Sequence, residues 1–388
     1  MRSEFLPYCR PFIEQDDIDA VTDTLLRGWL TSGPKVREFE KLFAEATGVK
    51  HAVALNSCTA ALHLGMIALG VGEGDEVVMP SLSFVAGANC AVQIGAKPVF
   101  CDIDPETLCL SVETIEAVAT PATKAIMTMH YAGRPASAAP IVAWAKKRGI
   151  KVFEDAALST GMRDDGEWSG TRSDAAAYSF YATKNVTSAE GGMFVTSDDA
   201  LMERVRQLAL HGMDRDAWKR YTSAGSWRYD ILEHGYKDNM PDMAATLGIS
   251  QLKKLDAMQR RRDEIARAYV QAIVAIPGVT VGGVGNMGPK DRHSWCMFPI
   301  LVDEKAAGIS RDRLIDDLKA ANIGTSVHYI PSHTFTAHRA GAAQLPVTDA
   351  LWQRLISLPL YPAMTDDDVA DVIDALRICI PGKVTQAV

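Results

Sequence analysis

The chain has 388 residues, 47% apolar and 23% charged, with a formal net charge of −8 at pH 7. That length exceeds one ordinary hydrophobic core and argues for two domains. The acidic balance excludes nucleic acid as the main partner, because phosphate backbones demand a basic surface. No apolar run approaches the roughly 20 residues that cross a bilayer, so no membrane contact is expected. The opening MRSEFLPYCRPFIEQDD lacks the apolar stretch of a secretory leader, and a cytoplasmic location is expected. Seven cysteines without a C-x-x-C pair read as reduced thiols, with Cys101 and Cys296 inside apolar runs.

Taken in chain order, short apolar runs alternate with helical patterns. Strands are predicted at 52–55, 76–79, 98–102, 125–130, 151–154, 176–180 and 193–196. Helical patterns fall between them at 60–68, 84–94, 139–148 and 201–208. Strands separated by helices imply βαβ units and a mainly parallel sheet. Near-continuous apolar runs such as EVVMP and KAIMTM fit strands covered on both faces. After about residue 245 the texture changes. One long helical pattern at 243–275 precedes a strand at 293–302, a helix at 311–320, a strand at 325–328 and a helix at 365–376, with a turn-rich loop at 282–289. The expected architecture is α/β, with a large domain over 1–248 and a small α+β domain over 249–388.

Ligands of open α/β sheets bind beyond the carboxyl ends of the strands, so the residues that follow each strand carry the functional reading. After the first strand, Asn56-Ser57-Cys58-Thr59 opens a helix. It offers free amides and hydroxyls to a phosphate, although a plain N-cap serine reads the same way. After the second, Phe84 starts a helix, as a core residue or as an aromatic stacked on a planar cofactor. Asp155 ends the fifth strand, where it could cap a helix or face a pyridine nitrogen. Ser179 ends the sixth, and Lys184 follows in YSFYATKNVTSAEGGMFVT, close to two glycines that let backbone approach a ligand. A phosphate cradle, a ring-stacking aromatic, a carboxylate and a lysine thus fall at the strand ends of one sheet. His293, His328 and His333 have no carboxylate–cysteine cluster beside them, so packing or substrate contact is preferred and no metal is expected.

The segments GWLTSGP, NSCTAALH, HYAG, FEDAA, SFYATKNVTSAEGG, GYKDNMPDMAA and VHYIPSHT resemble the DegT–DnrJ family of sugar aminotransferases nearly end to end. Among its members they are most similar to the UDP-4-amino-4-deoxy-L-arabinose–oxoglutarate aminotransferases. The resemblance implies the fold type I of pyridoxal 5'-phosphate (PLP) enzymes, which is aspartate-aminotransferase-like, with a mainly parallel seven-stranded sheet. It also implies a homodimer with shared sites, L-glutamate and 2-oxoglutarate as the amino donor pair, and a nucleotide-linked keto sugar as acceptor. Carried over by position, Lys184 bonds the cofactor and Asp155 faces its ring nitrogen. Phe84 stacks on the ring, and Ser57, Cys58, Thr59 and Ser179 hold its phosphate. Asn239 reaches that phosphate from the other subunit. Trp29, Arg220, Arg228 and His328 are candidates for substrate contact. The chain departs from the family at Leu158, where relatives carry His or Gln three residues after the aspartate, and at Ala136-Ser137-Ala138. Two other readings compete. A sugar dehydratase of this fold has histidine in place of Lys184, and a catalytically silent binding protein would not need Lys184 and Asp155 intact.

Overall fold

The computed structural model describes residues 2–214, 228–285, 287–339 and 344–381. Seven strands, β1 (His51–Leu55), β2 (Glu76–Pro80), β3 (Lys97–Cys101), β4 (Thr123–Met129), β5 (Lys151–Asp155), β6 (Ala175–Ser179) and β7 (Gly192–Thr196), form one sheet in the order β1-β7-β6-β5-β4-β2-β3. All seven predicted strands are present, within a few residues of their expected ends. The pairs β2–β3, β2–β4, β4–β5 and β5–β6 are parallel, while β7 runs antiparallel to both of its neighbours. Because β7 alone is reversed, the other six strands point the same way and their carboxyl ends share one edge. Apolar clusters cover both faces of the sheet. One is built around the helix Cys58–Ala68 and the other around the helix Pro34–Thr47 and Met240–Met258, which is why β6 and β7 are buried at every residue.

Beyond residue 250 a second, antiparallel sheet holds β8 (Val279–Val281), β9 (Phe298–Val302) and β10 (Leu355–Leu358) in the order β10-β9-β8. Its core includes the helices Leu255–Ile273, Arg311–Ala320 and Asp366–Cys379. The start of the chain joins this unit. Leu6 lies in its core and bridges to Ile323, and Arg2 pairs with Asp368 at 2.6 Å and Asp371 at 2.8 Å.

Three sequence expectations fail here. The helix expected over 243–275 is two, Asp242–Lys253 and Leu255–Ile273, because Lys254 leaves helical geometry at φ −96° and ψ −2°. Its ammonium group is held by Asp16 and Asp17 of the first helix, a tertiary partner that periodicity does not reveal. The strand expected over 325–328 is only an isolated bridge, Ser326 to Ser357. The strand expected over 293–302 is confined to Phe298–Val302, because residues 293–295 turn to dock on the larger unit. The Ser294 hydroxyl donates to the Leu158 carbonyl at 2.6 Å, and Asn185 Nδ2 donates to the Ser294 carbonyl at 2.7 Å.

His293 sits in this junction. Its Nδ1 accepts the Trp295 N–H at 2.9 Å and its ring stacks on the indole, with centroids 3.8 Å apart. Burial, helped by the Arg134 charge, pushes its pKa down to about 3 from 6.5. The folded value lies below the unfolded one, so the contribution of His293 to stability is complete above pH 6.5. It is lost as the pH falls towards 3, at up to about 1.4 kcal/mol per pH unit. His293→Asn keeps an acceptor for Trp295 and removes the titration. The stability difference between pH 7 and pH 5, measured by urea unfolding, should shrink by up to about 2 kcal/mol in this variant. An unchanged difference would show that His293 does not drive the loss.

Candidate active site

The strand register aligns the functional edge. Leu55 and Ser179 both pair with Gly192, and Asp155 pairs with Met129 on one side and Ala177 on the other. Asp155 is the last residue of β5 and is 6% exposed. Its Oδ1 accepts one hydrogen bond, from Ala157 N–H at 3.1 Å. Burial raises its pKa, and the charge of Lys184 opposes the rise. A carboxylate with so few partners is costly unless a cation faces it. Asp155 lines a cleft with Ser83, Phe84, Met129 and Ser332.

Its neighbour Glu154, almost as buried at 2% exposed, is treated differently. Its Oε1 accepts Gly170 N–H at 2.7 Å and the Ser173 hydroxyl at 2.5 Å, and its Oε2 lies 2.6 Å from His130 Nε2. His130 Nδ1 accepts Ala136 N–H at 3.1 Å. That bond places the ring proton on Nε2, aimed at Glu154. Burial works against the charge, but these donors outweigh it and the Glu154 pKa is lowered. Adjacent carboxylates on opposite faces of β5 therefore differ. Glu154 is satisfied by protein donors, and Asp155 keeps one hydrogen bond among the described residues.

Ser57 caps the helix Cys58–Ala68, its hydroxyl accepting Ala60 N–H at 3.0 Å. The plain-cap reading is thus correct for the Ser57 side chain, and it does not exhaust the turn. The N–H groups of Cys58 and Thr59 have no acceptor among the described residues, and such orphan donors at a positive dipole end suit a phosphate. β7 passes hard against this turn. A Cβ on Gly192 would lie 2.3 Å from the Ser57 carbonyl oxygen and 2.5 Å from Cys58 N. Ser179 is buried beside it and accepts Tyr181 N–H at 3.3 Å.

Lys184 is half-buried on a loop that its neighbours brace. Lys184 N–H donates to the Tyr181 carbonyl at 2.9 Å, and Asn185 Nδ2 donates to the carbonyl of Thr160 at 3.1 Å as well as to that of Ser294. The lysine charge acts on Asp155, Cys58, Cys9 and His328. His328 meets Ser357 Oγ at 2.8 Å through Nδ1. Burial, then Lys184, pushes its pKa down to about 4, which leaves it neutral at pH 7. Phe84 is 61% exposed, with its ring 6.2 Å from that of Tyr329. Tyr329, Ser332 and Cys9 were not read from the sequence as site residues. Ser332 lines the cleft, Tyr329 lies against the Phe84 ring, and Cys9 lies in the field of Lys184.

Trp29, Ser32 and Asn239 form a second group. Trp29 Nε1 donates to the Ser32 carbonyl at 3.3 Å, and Asn239 Nδ2 lies 2.6 Å from Ser32 Oγ. Asn239 bridges to Leu55 of the same chain and accepts from Lys237. Leu158 turns into the core with Leu82, Met129 and Tyr131. Arg228 is exposed, and Arg220 lies outside the described residues. His333 and Ser81 are joined at 2.6 Å.

The site fits PLP. Asp155 is an anion suited to its ring nitrogen, the 57–59 turn offers donors to its phosphate, Phe84 faces the cleft, and Lys184 reaches the same space. Residues 11–377 match the model of the DegT/DnrJ/EryC1/StrS aminotransferase family. The chain belongs to this family. It is 47% identical to the spore coat polysaccharide biosynthesis protein SpsC of Bacillus subtilis (strain 168), over 98% of both chains. Spr1654 from Streptococcus pneumoniae in its PLP form superposes with a TM-score of 0.88 at 29% identity, over 98% of this chain and 100% of that one. DesI, in the presence of its TDP-sugar product, gives 0.87 at 33% identity, over 98% and 94%. The protein is a PLP-dependent sugar aminotransferase with the fold of that family.

The close approach at Gly192 generates a prediction. In Gly192→Ala, β7 and the 57–58 turn must part, because the atoms in the way are backbone. PLP binding to the apoprotein, followed by absorbance titration, should weaken about tenfold, the effect of roughly 1.4 kcal/mol. Unchanged affinity would place the cofactor phosphate away from this turn.

Proposed function

We propose that this aminotransferase moves the amino group of L-glutamate to the keto group, at C4, of a nucleotide-linked sugar for amino-sugar or surface-polysaccharide biosynthesis, releasing 2-oxoglutarate. The observation that carries the reading is the buried, under-partnered Asp155 carboxylate in the field of Lys184. Support also comes from the relatives, one a polysaccharide biosynthesis protein and one solved with a TDP-sugar product.

Bound PLP supplies the electron sink. In our reading Asp155 keeps the ring nitrogen protonated, and Phe84 covers the ring. Ser57, Cys58, Thr59 and Ser179 hold the phosphate. Lys184 bonds the cofactor, then acts as general base and acid, taking the proton from the donor Cα and returning it on the far side of the transfer. The acceptor half repeats these steps in reverse. His328, neutral at pH 7, offers a hydrogen bond rather than a charge to substrate. Trp29 and Arg228 stand for the sugar-nucleotide side, with Arg220. The chain divides into a cofactor-holding part within residues 1–248 and a smaller part, residues 249–388, which the start of the chain joins and whose Ser332 lines the cleft.

The same reading makes the enzyme a homodimer with shared sites. An apolar groove runs beside the helix Gln15–Arg27, lined by Ile13, Ile18, Val21 and Leu247, and Leu26 is 82% exposed. Such surface suits burial against a second copy. Asn239 hydrogen bonds to Ser32 and Lys237, and among the described residues it makes no hydrogen bond to Ser57 or Thr59 of its own chain, as the shared-site reading requires.

Two experiments test this. Lys184→Ala should abolish turnover with the fold intact, and borohydride treatment of the PLP-loaded enzyme should fix the cofactor to the peptide that contains Lys184. Attachment to another lysine would sink the assignment. For the shared site, Lys184→Ala chains are mixed with Asn239→Ala chains. In the heterodimer one site then carries both lesions and the other neither, so activity should reappear. A mixture no more active than its parents, with subunit exchange confirmed, would place Asn239 in its own chain's site.

A further inference from the structure

We propose that His333 is a positioning residue, which holds the loop of Phe84 in register with the segment of His328 and Tyr329 through a buried hydrogen bond to Ser81. The inference rests on the reading of Phe84 as the residue over the cofactor ring.

Phe84 needs such a device. At 61% exposed it has little packing to fix its aim, so its position depends on the backbone that carries it. That backbone is the turn 81–84 between β2 and the helix Ala86–Gln93. Four hydrogen bonds clamp the turn to residues 332–333 of the smaller unit. Ser332 N–H donates to the Ser81 carbonyl at 2.8 Å, and Ser332 Oγ donates to the Ser83 carbonyl at 3.2 Å. His333 N–H donates to Ser81 Oγ at 3.2 Å, and Ser81 Oγ lies 2.6 Å from His333 Nδ1.

One assignment of the protons satisfies both bonds. Among the described residues the Ser81 hydroxyl has no acceptor other than Nδ1, so its proton is assigned there while Oγ accepts from the His333 backbone. The ring proton then sits on Nε2, facing Asp349 Oδ1 at 3.2 Å. Ser81 is fully buried and His333 is 8% exposed, whereas the Asp349 side chain is 46% exposed. A buried bond at 2.6 Å outweighs a half-exposed contact with Asp349 at 3.2 Å, so the function of the imidazole lies on the Ser81 side. Ser332, between the clamp and the cleft, lines the cleft together with Phe84 and Asp155. Tyr329, three residues earlier, meets the Phe84 ring directly. Loss of the clamp should therefore change how the ring is held, and not only how stable the protein is.

Amide substitutions separate the two sides of the imidazole. His333→Asn puts a carbonyl oxygen near the Nδ1 position and keeps the Ser81 bond. His333→Gln reaches the Nε2 position, keeps Asp349 and loses Ser81. The readouts on PLP-loaded enzyme are the circular dichroism induced in the cofactor band, which follows ring orientation, and the separate values of kcat and KM. His333→Gln should lose about tenfold in kcat, the scale of one buried hydrogen bond, with a reduced cofactor band. His333→Asn should stay near wild type. Ser81→Ala should match His333→Gln, and the double variant should be no worse than either, because the two residues share one bond. A His333→Gln enzyme with wild-type dichroism and kcat would overturn the proposal, as would Asn and Gln variants damaged alike. Cofactor fixed by borohydride to a lysine other than Lys184 would overturn the site reading and this inference together. Fixation at Lys184 with an unaffected Gln variant would overturn this inference alone.

Discussion

A carboxylate taken almost out of water at the end of β5 sets the terms for the site. Asp155 keeps one hydrogen bond from protein and is pushed towards its neutral form by burial. Only a cation in the cleft makes its charge affordable, and Lys184 supplies that field. The contrast with Glu154 shows that burial alone does not decide the outcome. Three donors, from Gly170, Ser173 and His130, hold Glu154 ionised behind the strand. One strand therefore presents a well-partnered anion on one face and a nearly unpartnered carboxylate on the other.

The remaining groups reach Asp155 because six strands end at one edge and a single strand returns. The reversed β7 closes the sheet between β1 and β6 and presses Gly192 against the turn of Ser57. This contact joins the turn of Ser57 and Cys58 at one strand end to Ser179 at another. The smaller unit completes the enclosure. Asp102, just past β3, takes the N–H groups of Val347 at 2.9 Å and Thr348 at 2.8 Å. Ser81 takes Ser332 and His333, and Leu158 and Asn185 take Ser294 by side chain or carbonyl. Loop ends of the large sheet are thus the docking points of the second unit, and the cleft and the junction share Ser83 and Ser332.

Much of the large sheet was legible in the sequence. Each of its strands is a short apolar run, and a strand buried on both faces needs little else. The helix Arg311–Ala320 was also legible, because Ser310 caps it with a side-chain bond to Arg313 N–H, a signal local to the chain. The smaller unit was harder. β8 and β10 are three and four residues long, too short for periodicity to declare, and exist as strands because β9 lies between them. The break at Lys254 answers to Asp16 and Asp17, far away in sequence.

The site divides in the same way. Lys184, Asp155, Phe84, Ser57 and Ser179 could be read because they follow directly from strand ends, and a parallel sheet collects strand ends on one edge whatever the loops do. The family motifs around them determined the chemistry. Tertiary structure alone decided which of two adjacent carboxylates is held by protein donors, that His328 lies in the field of Lys184, that Tyr329 and Ser332 lie beside Phe84, and that His333 bonds Ser81. Those outcomes depend on dielectric and on proximity across the two units, and neither is written in the local order of residues.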